Sequence, residues 1–509
     1  MKKYILGALL FVVIFTACKK SYLETAPSDA ANPETVFQNT RNVESAVNGL
    51  AKMMTMQYLE SQGFNGEGTI KMFYGNYPGA DFYVNLTGWA PIINATYNQL
   101  STSIYDYYPW YYYYKIIGNA NTIIAKVDNV EGVEADKQFL KAQALSYRAY
   151  CYMMLVQLYG HRWSDSQNGA TKAVVLRLDQ STGDIPVSTL GDSYNQIYKD
   201  LDDAIALYES SKNVRGRNFE MDKSVAYAIY ARAALNKQDY PNAEKYAKMA
   251  RTGYALMSNT EYKNGFSNPT SEWIWSSYGA SDETLYFYSF LAYIGYNSTA
   301  GAVRTTPKCI NKILFGKIPT SDIRKSLFLN PAGYTYTNGT GVASSALAAY
   351  GRTLYPDLQS NATLYAFMQF KFKANDMPGV GHLVHFRSSE MLLIEAEAKY
   401  FQNKAATEVQ ALLIELNKTT GRDPDYAISK TGTELLDEIK FYRSIELWGE
   451  GFDWFDLKRW GATITRVSTA QGGSFPAALA VTIKPEDNNK WTWVIPNREF
   501  DYNTRINEQ

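Results

Sequence analysis

Residues 223–257 read KSVAYAIYARAALNKQDYPNAEKYAKMARTGYALM, and this stretch predicts two helices joined by a tight turn. Asp239 and Tyr240 form the predicted turn, and Pro241 falls in the first turn of the second helix, where its missing N–H costs nothing. Small residues recur at helical spacing, where two helices must approach closely: Ala226, Ala231, Ala234, Ala243, Ala247 and Ala250. The pair has the marks of a tetratricopeptide unit.

One such unit cannot bury its apolar face alone, so further units must stack on it. Residues 42–56, 114–127 and 137–159 carry one-sided or strongly periodic apolar patterns, and Gly160 marks a helix end. Asp192 and Ser193 are predicted to cap the next helix. About four helix pairs are expected, the last formed by residues 390–401 and 405–419. The fold is therefore predicted to be mainly α.

Two stretches interrupt this helical pattern. Residues 63–102 are rich in Gly, Asn, Pro and aromatic residues, which predicts long loops. Residues 260–377 are the least regular, with a short strand expected at Glu272–Trp275. Long irregular insertions in a helical scaffold tend to carry function. The ligand-contacting residues are therefore sought in these two stretches.

The first residues have the layout of a secretory signal. Lys2 and Lys3 supply charge, residues 4–15 are almost wholly apolar, and small residues precede Cys18. The apolar run is too short for a membrane-spanning helix. This pattern predicts a lipoprotein signal peptide over residues 1–17, an acylated Cys18 and a tether over residues 18–33. An ordinary signal peptide with an incidental cysteine is the alternative.

Composition narrows the functional class. The chain has 509 residues, with 50 Lys+Arg against 50 Asp+Glu, and this balance lacks the electrostatic footprint of a nucleic-acid-binding protein. Its 41 Tyr, 23 Phe and 10 Trp are unusual. Tyrosine combines a flat apolar face with a hydroxyl, which suits a surface that grips sugar rings or peptides. Most of these residues, including Trp110 and residues 111–114, are nevertheless expected to pack between helices.

Cysteine usage gives little support for a disulfide framework, because only Cys151 and Cys309 remain after Cys18. Cys151 lies in a helix-like apolar stretch and is expected to be a buried thiol. A bridge between Cys151 and Cys309 stays open.

Several motifs follow one another along the chain. The most specific is HFRSSEMLLIEAEA at residues 385–398, followed by YRSIELWGEG at 442–451 and WFDLKRWG at 454–461. Taken in this order with residues 114–121, residues 148–160 and the ending from Ile495 through Asn503 and Asn507, these motifs resemble the SusD/RagB family of surface lipoproteins from Bacteroidetes nutrient-uptake systems. The resemblance covers nearly the whole chain.

This resemblance implies a SusD-like fold with about four tetratricopeptide-like helix pairs, long irregular loops and a few short strands. Residues 34–259 would form the N-terminal helical part and residues 260–509 a loop-rich part, in one compact fold. Such proteins act as a lid over a SusC-like TonB-dependent transporter of the outer membrane and bind an oligosaccharide or, in some members, peptides. The resemblance also implies a lipid-anchored protein at the cell surface. It implies neither catalysis nor a cofactor.

Ligand contacts are expected from aromatic and polar side chains on loops, because binding sites combine apolar surfaces with a few convergent polar groups. For Trp275, packing in the core is the alternative. The candidates in the two irregular stretches are Tyr74, Tyr77, Asp81, Tyr83, Trp89, Asn94, Trp275, Tyr278, Tyr293, Tyr296 and Asn297.

Two other functions remain open. Glu390, Glu395 and Glu397 could serve glycoside hydrolysis, but acids in an apolar helix are more often paired scaffold groups, and the expected partners are Arg387, Arg443 and Arg459. A tetratricopeptide adaptor that binds no nutrient is the second alternative. His382 and His385 lack a third placed ligand, so no metal site is expected.

Overall fold

The computed structural model describes residues 33–60, 63–280, 288–485 and 490–507. A stack of long helices forms its frame. The helices of its first part are α1 (Thr40–Met53), α2 (Ile104–Lys126), α3 (Glu134–Tyr159), α4 (Leu190–Ser211), α5 (Lys223–Asn236) and α6 (Tyr240–Arg251). Each of α2 to α5 packs against the next along the chain, and α1 packs against α2 and α3. Within the described ranges, no helix has the length and apolar character needed to cross a bilayer.

The predicted helix pair of residues 223–257 is confirmed as α5 and α6. The Asp239 side chain accepts a hydrogen bond from the Asn242 amide and caps α6, and Pro241 lies in the first turn. The six alanines named above are all fully buried at the packed faces. Because alanine adds little width, the helices approach closely enough to exclude water from this face.

The helical stack resumes after the irregular stretch of residues 260–377, called the insertion below. The later helices are α7 (Ser345–Leu354), α8 (Ser388–Phe401), α9 (Ala406–Ile414), α10 (Gly432–Glu446) and α11 (Asp453–Trp460). Helix α8 packs against α6 and α5, which returns the chain to the frame. The predicted last pair, residues 390–401 with 405–419, is confirmed as α8 and α9, since α9 continues into a π-helix over Glu415–Thr419.

Short strands pair antiparallel across distant parts of the chain. Phe82 pairs with Ile310, Trp273 with Arg387 and Ile464 with Ile483. The strand expected at residues 272–275 is confirmed as the second of these. The strands are β1 (Phe82–Val84), β2 (Trp273–Ser277), β3 (Lys308–Ile310), β4 (Leu383–Arg387), β5 (Ile464–Thr465) and β6 (Thr482–Ile483).

Shorter helical segments connect these elements. Outside the long helices they are Pro33–Val36, Gly66–Thr69, Ile70–Asn76 (π), Thr87–Trp89 (3₁₀), Ala90–Ile93, Thr96–Gln99 (3₁₀), Val127–Asn129 (3₁₀), Trp163–Asp165 (3₁₀), Asn259–Tyr262, Phe290–Ile294, Gly301–Arg304, Lys312–Lys317, Ile323–Leu327 (3₁₀), Thr469–Gln471 (3₁₀), Ala477–Leu479 (3₁₀), Asn497–Phe500 and Thr504–Asn507 (3₁₀).

The prediction of long loops over residues 63–102 is wrong for most of the stretch. It contains several short helices and β1, and Ile70–Asn76 is entirely buried. Gly66 has φ +44° and lies so close to α1 that an added Cβ would be 1.9 Å from the Met54 carbonyl oxygen. Glycine permits close packing here, whereas its abundance had indicated an exposed loop.

The predicted cap of α4 is also wrong by a few residues. Thr189, rather than Asp192 or Ser193, precedes the helix, and its hydroxyl accepts a hydrogen bond from the Asp192 amide at 3.0 Å. Gly160 ends α3 as predicted. Cys151 and Cys309 are both free and buried, which answers the open question of a bridge between them.

Candidate functional site

The glutamates of the family-like helix are scaffold groups. Glu390 is paired with Arg232 at 2.7 Å, Glu395 with Arg251 at 2.9 Å, and Glu397 with Arg459. All three glutamates are buried on α8. The expectation that they are paired is confirmed, so no accessible carboxylate pair remains on this helix for acid–base chemistry.

Only one of the three arginines expected as their partners has that role. Arg387 instead contacts Glu272, Glu446 and Glu450, at 2.6, 2.7 and 2.8 Å. Arg443 pairs with Asp456 at 2.6 Å. The family-like motifs therefore join β4, α10 and α11 through buried charges, which makes them the centre of the fold rather than a binding surface.

A cluster of aromatic rings emerges from the core around Phe73. The ring of Trp89 meets Phe73 edge to face, with centroids 5.2 Å apart at 72°, and the ring of Tyr293 does so at 5.6 Å and 84°. Tyr77 stacks on Phe73 from within, at 5.5 Å. Phe73 and Tyr77 are buried, while Trp89 and Tyr293 are partly exposed. The buried rings therefore hold two exposed ones in place.

Two more tyrosines extend this surface. Tyr97 and Tyr105 stack at 5.1 Å with their planes 6° apart, and both are partly exposed. Tyr74 supports them from the core, because its hydroxyl donates to the Tyr105 carbonyl at 2.6 Å. We call Phe73, Trp89, Tyr97, Tyr105 and Tyr293 the aromatic cluster.

Two phenols of the cluster, those of Tyr105 and Tyr293, stay protonated at neutral pH. Burial raises the pKa of Tyr293, and the nearby phenols of Tyr288 and Tyr105 raise it further. Burial and Tyr97 raise the pKa of Tyr105. Each hydroxyl can therefore both donate and accept a hydrogen bond beside a flat ring.

Arg466 holds the segment that carries Trp89. Its guanidinium donates to the carbonyls of Tyr77, Pro78, Gly79 and Ile93 and to the Asn94 side-chain oxygen. Burial lowers the pKa of Arg466 to about 10, which still leaves it charged at neutral pH. Sequence reasoning missed this residue, because a single arginine between β5 and β6 carries no motif.

The predicted site residues divide by location. Trp89 and Tyr293 come together in the aromatic cluster, although about 200 residues separate them in sequence. Tyr74 and Tyr77 lie beneath it as supports. Asn94 contacts Arg466 through its oxygen and the Ala478 carbonyl through its nitrogen, so its amide already serves the fold. Tyr278 is 48% exposed and lies apart, against Phe219 and His382.

Six of the residues predicted to contact a ligand pack in the interior and present no accessible side chain. For Trp275 the alternative of core packing is the one observed. Asn297, for example, exchanges two hydrogen bonds with the backbone of Ala374, at 2.8 and 2.9 Å. The six buried candidates are Tyr74, Tyr77, Tyr83, Trp275, Tyr296 and Asn297.

Asp81 is likewise tied into the structure. Its amide donates to the Asp453 carboxylate at 2.7 Å, and its carbonyl accepts from the Trp448 indole at 3.0 Å. Burial raises the pKa of its carboxyl group, although a hydrogen bond with Ser444 and the charge of Lys317 oppose the shift. The residue positions β1 and does not line the aromatic cluster.

The histidines do not converge on a shared ligand. The His385 ring nitrogen lies 2.6 Å from the Ser277 hydroxyl inside the core, and His382 packs against Tyr278. In the part of the chain that the structure describes, no three His, Cys, Asp or Glu side chains are arranged to hold a metal ion.

Comparison with protein families identifies the class to which this architecture belongs. A SusD-like model described as starch-binding and associating with the outer membrane matches residues 21–235, and the SusD family model matches residues 234–507. The second match spans more than half of the chain. The chain therefore belongs to the SusD family.

Solved structures agree on the fold. A SusD-like carbohydrate-binding protein from Bacteroides vulgatus superposes with a TM-score of 0.75 at 21% identity, covering 92% of this chain and 98% of its own. A SusD superfamily protein from Bacteroides thetaiotaomicron gives 0.73 at 22% identity, covering 92% and 99%. Surface glycan-binding protein A from the same species gives 0.66 at 17% identity, covering 92% and 98%. The predicted mainly α, SusD-like fold is confirmed.

A curated relative is similar over a shorter stretch. A SusD-like protein from Formosa agariphila is 28% identical over 167 residues. The alignment spans 30% of this chain and 30% of that relative. It supports the family assignment without defining a ligand.

Proposed function

We propose that the protein binds an oligosaccharide on the aromatic cluster and delivers it to a SusC-like TonB-dependent transporter of the outer membrane, without cleaving it. The observation that carries the proposal is the pair of partly exposed rings, Trp89 and Tyr293, fixed on the buried Phe73. Membership of the SusD family supports the class of ligand and the transporter partner.

The chemistry of the cluster suits a sugar. Aromatic faces stack on the CH faces of sugar rings, while the hydroxyls of Tyr97, Tyr105 and Tyr293 exchange hydrogen bonds with sugar hydroxyls. Because Phe73, Tyr77 and Arg466 hold the surface in place, little conformational entropy is lost on binding.

The three buried ion pairs of α8 argue against the hydrolase alternative. A glycosidase needs one carboxyl group that donates a proton and a second that attacks or activates water, both facing the substrate. Glu390, Glu395 and Glu397 face arginines inside the fold. If Glu395→Gln or Glu390→Gln abolished release of sugars from a mixed polysaccharide sample, the hydrolase would replace our proposal.

Anchoring is proposed through Cys18, which lies outside the described residues, as do the proposed signal peptide over residues 1–17 and most of the tether over residues 18–33. We expect Cys18→Ala to move the protein from the membrane fraction to the soluble fraction, and Ser21→Ala to leave it in place. A single acyl chain binds membranes only marginally, so more than one chain is expected on the mature protein. A Cys18→Ala variant that stays in the membrane would contradict the anchor.

The first experiment measures binding. The protein is run in affinity gels that contain a polysaccharide panel, and the dissociation constant for retained glycans is measured by calorimetry. We expect Trp89→Ala to reduce the free energy of glycan binding by about 1–3 kcal/mol, which corresponds to a roughly 5- to 150-fold larger dissociation constant. Tyr502→Ala, which removes a ring that is 82% exposed elsewhere, is the matched control.

The outcomes separate the alternatives. An unchanged dissociation constant in Trp89→Ala would remove the aromatic cluster as the site. Retention of oligopeptides without glycans would favour the peptide-binding alternative. A pull-down of the tagged protein should recover a large β-barrel protein, and recovery of that partner with no glycan bound would favour the adaptor. Finding the protein alone in the periplasm would contradict the transporter partnership.

A further inference from the structure

A polar groove lies apart from the aromatic cluster, along one face of α1. It consists of two adjoining cavities of about 520 and 590 Å³, and Asn48 and Arg217 border both. The start of α3 and residues 213–220 form the opposite wall. Each cavity falls in the volume range of small-molecule binding sites, about 300–1,000 Å³.

A fixed aromatic ring stands at one end of this groove. Tyr278 is 48% exposed, and its ring contacts Phe219 at 6.0 Å and His382 at 5.6 Å, edge to face in both cases. The backbone of Phe219 is anchored in turn, because its carbonyl accepts a hydrogen bond from the Trp275 indole at 3.1 Å. The groove therefore presents an exposed ring face that Phe219 and His382 support.

An amide side chain lies at the other end. Gln143 is 3% exposed and borders the first cavity. Its side-chain oxygen accepts a hydrogen bond from the Met221 amide at 3.2 Å, which fixes the side chain at the wall of the groove. Its NH₂ group is a hydrogen-bond donor for a polar group that enters the groove.

The charges that border the groove cancel. Arg41, Lys52 and Arg217 supply three positive charges, and Glu44, Asp136 and Glu220 supply three negative ones. Opposite signs in equal number create no strong field for a polyanion or a polycation. A ring face, an amide side chain on the groove wall and balanced charge together suit a neutral, hydroxyl-rich ligand.

The groove lies within a limited distance of the aromatic cluster. Thr55 borders the second cavity, and an added Cβ on Gly63 would lie 3.2 Å from the Tyr293 hydroxyl oxygen. Eight residues of fully extended chain span at most about 29 Å, so the two sites are no farther apart than an oligosaccharide of moderate length can reach.

We propose that the polar groove is a second oligosaccharide subsite, which binds the distal part of a chain whose other end lies on the aromatic cluster. This inference rests on the proposed function. Linking two sites through one ligand raises the overall affinity for long chains without a new contact at either site. Short chains reach the aromatic cluster alone.

The test compares chain lengths by calorimetry on the full mature protein. Malto-, cello-, laminari- and fructo-oligosaccharides are each offered as a trimer and as a long chain, beside oligopeptides of similar length. We expect Tyr278→Ala to weaken binding of the long chain about 5- to 10-fold and to leave the trimer unchanged, whereas Trp89→Ala weakens both. Tyr350→Ala, at a ring that is 37% exposed elsewhere, is the control.

A second variant covers the possibility that Tyr278→Ala disturbs the fold. Arg217→Ala changes an exposed side chain that borders both cavities, and it should show the same dependence on chain length. Long-chain binding that stays at the wild-type level in both variants would overturn the subsite and leave the proposed function intact. Peptide binding that depends on Tyr278 would overturn the ligand class. Absence of binding by every sugar would overturn both proposals.

Discussion

Replacing Arg387 by methionine should destabilise the protein strongly, because this arginine is part of a buried network with balanced charge. Its guanidinium contacts Glu272, Glu446 and Glu450, and none of these side chains is more than 3% exposed. The network joins β4 to α10 and to the insertion. The four positive charges are Arg324, Lys371, Arg387 and Arg422, and the four negative charges are Glu272, Asp322, Glu446 and Glu450.

The magnitude follows from this count. Arg387→Met leaves four carboxylates and three cations, and an uncompensated buried charge costs about 3–5 kcal/mol. The entropy of unfolding is about 2.1 cal/mol/K per residue, or roughly 1 kcal/mol/K for this chain, so the expected fall in Tm is about 3–5 °C. Differential scanning calorimetry at pH 7 measures it.

Two further variants test the cause. Lys373→Met breaks an ion pair with Asp357 whose side chains are 39% and 50% exposed, and should lower Tm by less than about 1 °C. Adding Glu450→Gln to Arg387→Met restores equal numbers of charges and should recover part of the loss. An Arg387→Met variant as stable as the wild type would refute the reasoning. So would a double variant whose loss of stability equals the sum of the losses in Arg387→Met and Glu450→Gln.

Two other predictions concern buried side chains near the aromatic cluster. Asp106 is fully buried with no hydrogen-bond partner on its carboxylate among the described residues, and burial raises its pKa to about 9. The folded state therefore holds a proton that the unfolded state has released, and stability should fall by about 1.4 kcal/mol per pH unit between roughly pH 4 and 9. Asp106→Asn should remove this slope, so its Tm should rise by about 4 °C relative to that of the wild type as the pH increases from 5 to 8. Equal slopes in the two proteins would contradict the assignment. Arg466→Lys should weaken glycan binding about tenfold and speed hydrogen exchange over residues 77–94. The control Arg352→Lys loses contacts to the Gln359 and Ala362 carbonyls elsewhere and should not change the affinity. An unchanged affinity in Arg466→Lys would show that the aromatic cluster needs no such support.

Local patterns predicted the frame of this protein well. The alanine spacing and Pro241 of residues 223–257 identified α5 and α6, and Gly160 ended α3 as expected. The pairing of the α8 glutamates was also predicted correctly, since an acid on an apolar helix must meet a base. The helices and their ends depend on neighbours a few residues apart, so the order of residues contains them directly. The pairing of the glutamates follows from the cost of burying a charge, although two of their three partners, Arg232 and Arg251, were not the expected ones.

The candidate site depended on contacts that local patterns do not contain. Trp89 and Tyr293 meet only because Phe73 lies between them, and Arg466 reaches the segment that carries Trp89 from the far end of the chain. Residues 63–102 had the composition of a loop, but Gly66 packs against α1. Tyr83, Trp275 and Tyr296 had the same aromatic character as the exposed rings and proved to be buried.

The chain alone thus determined the long helices of the frame, where several of them end, and that the acids of α8 are paired, because these outcomes follow from periodicity and from the cost of an unpaired charge. Only the folded molecule decided which rings face the solvent and which fill the core. The exposure of a side chain depends on packing between segments that are hundreds of residues apart. Side chains of the same type are therefore exposed at one position and buried at another.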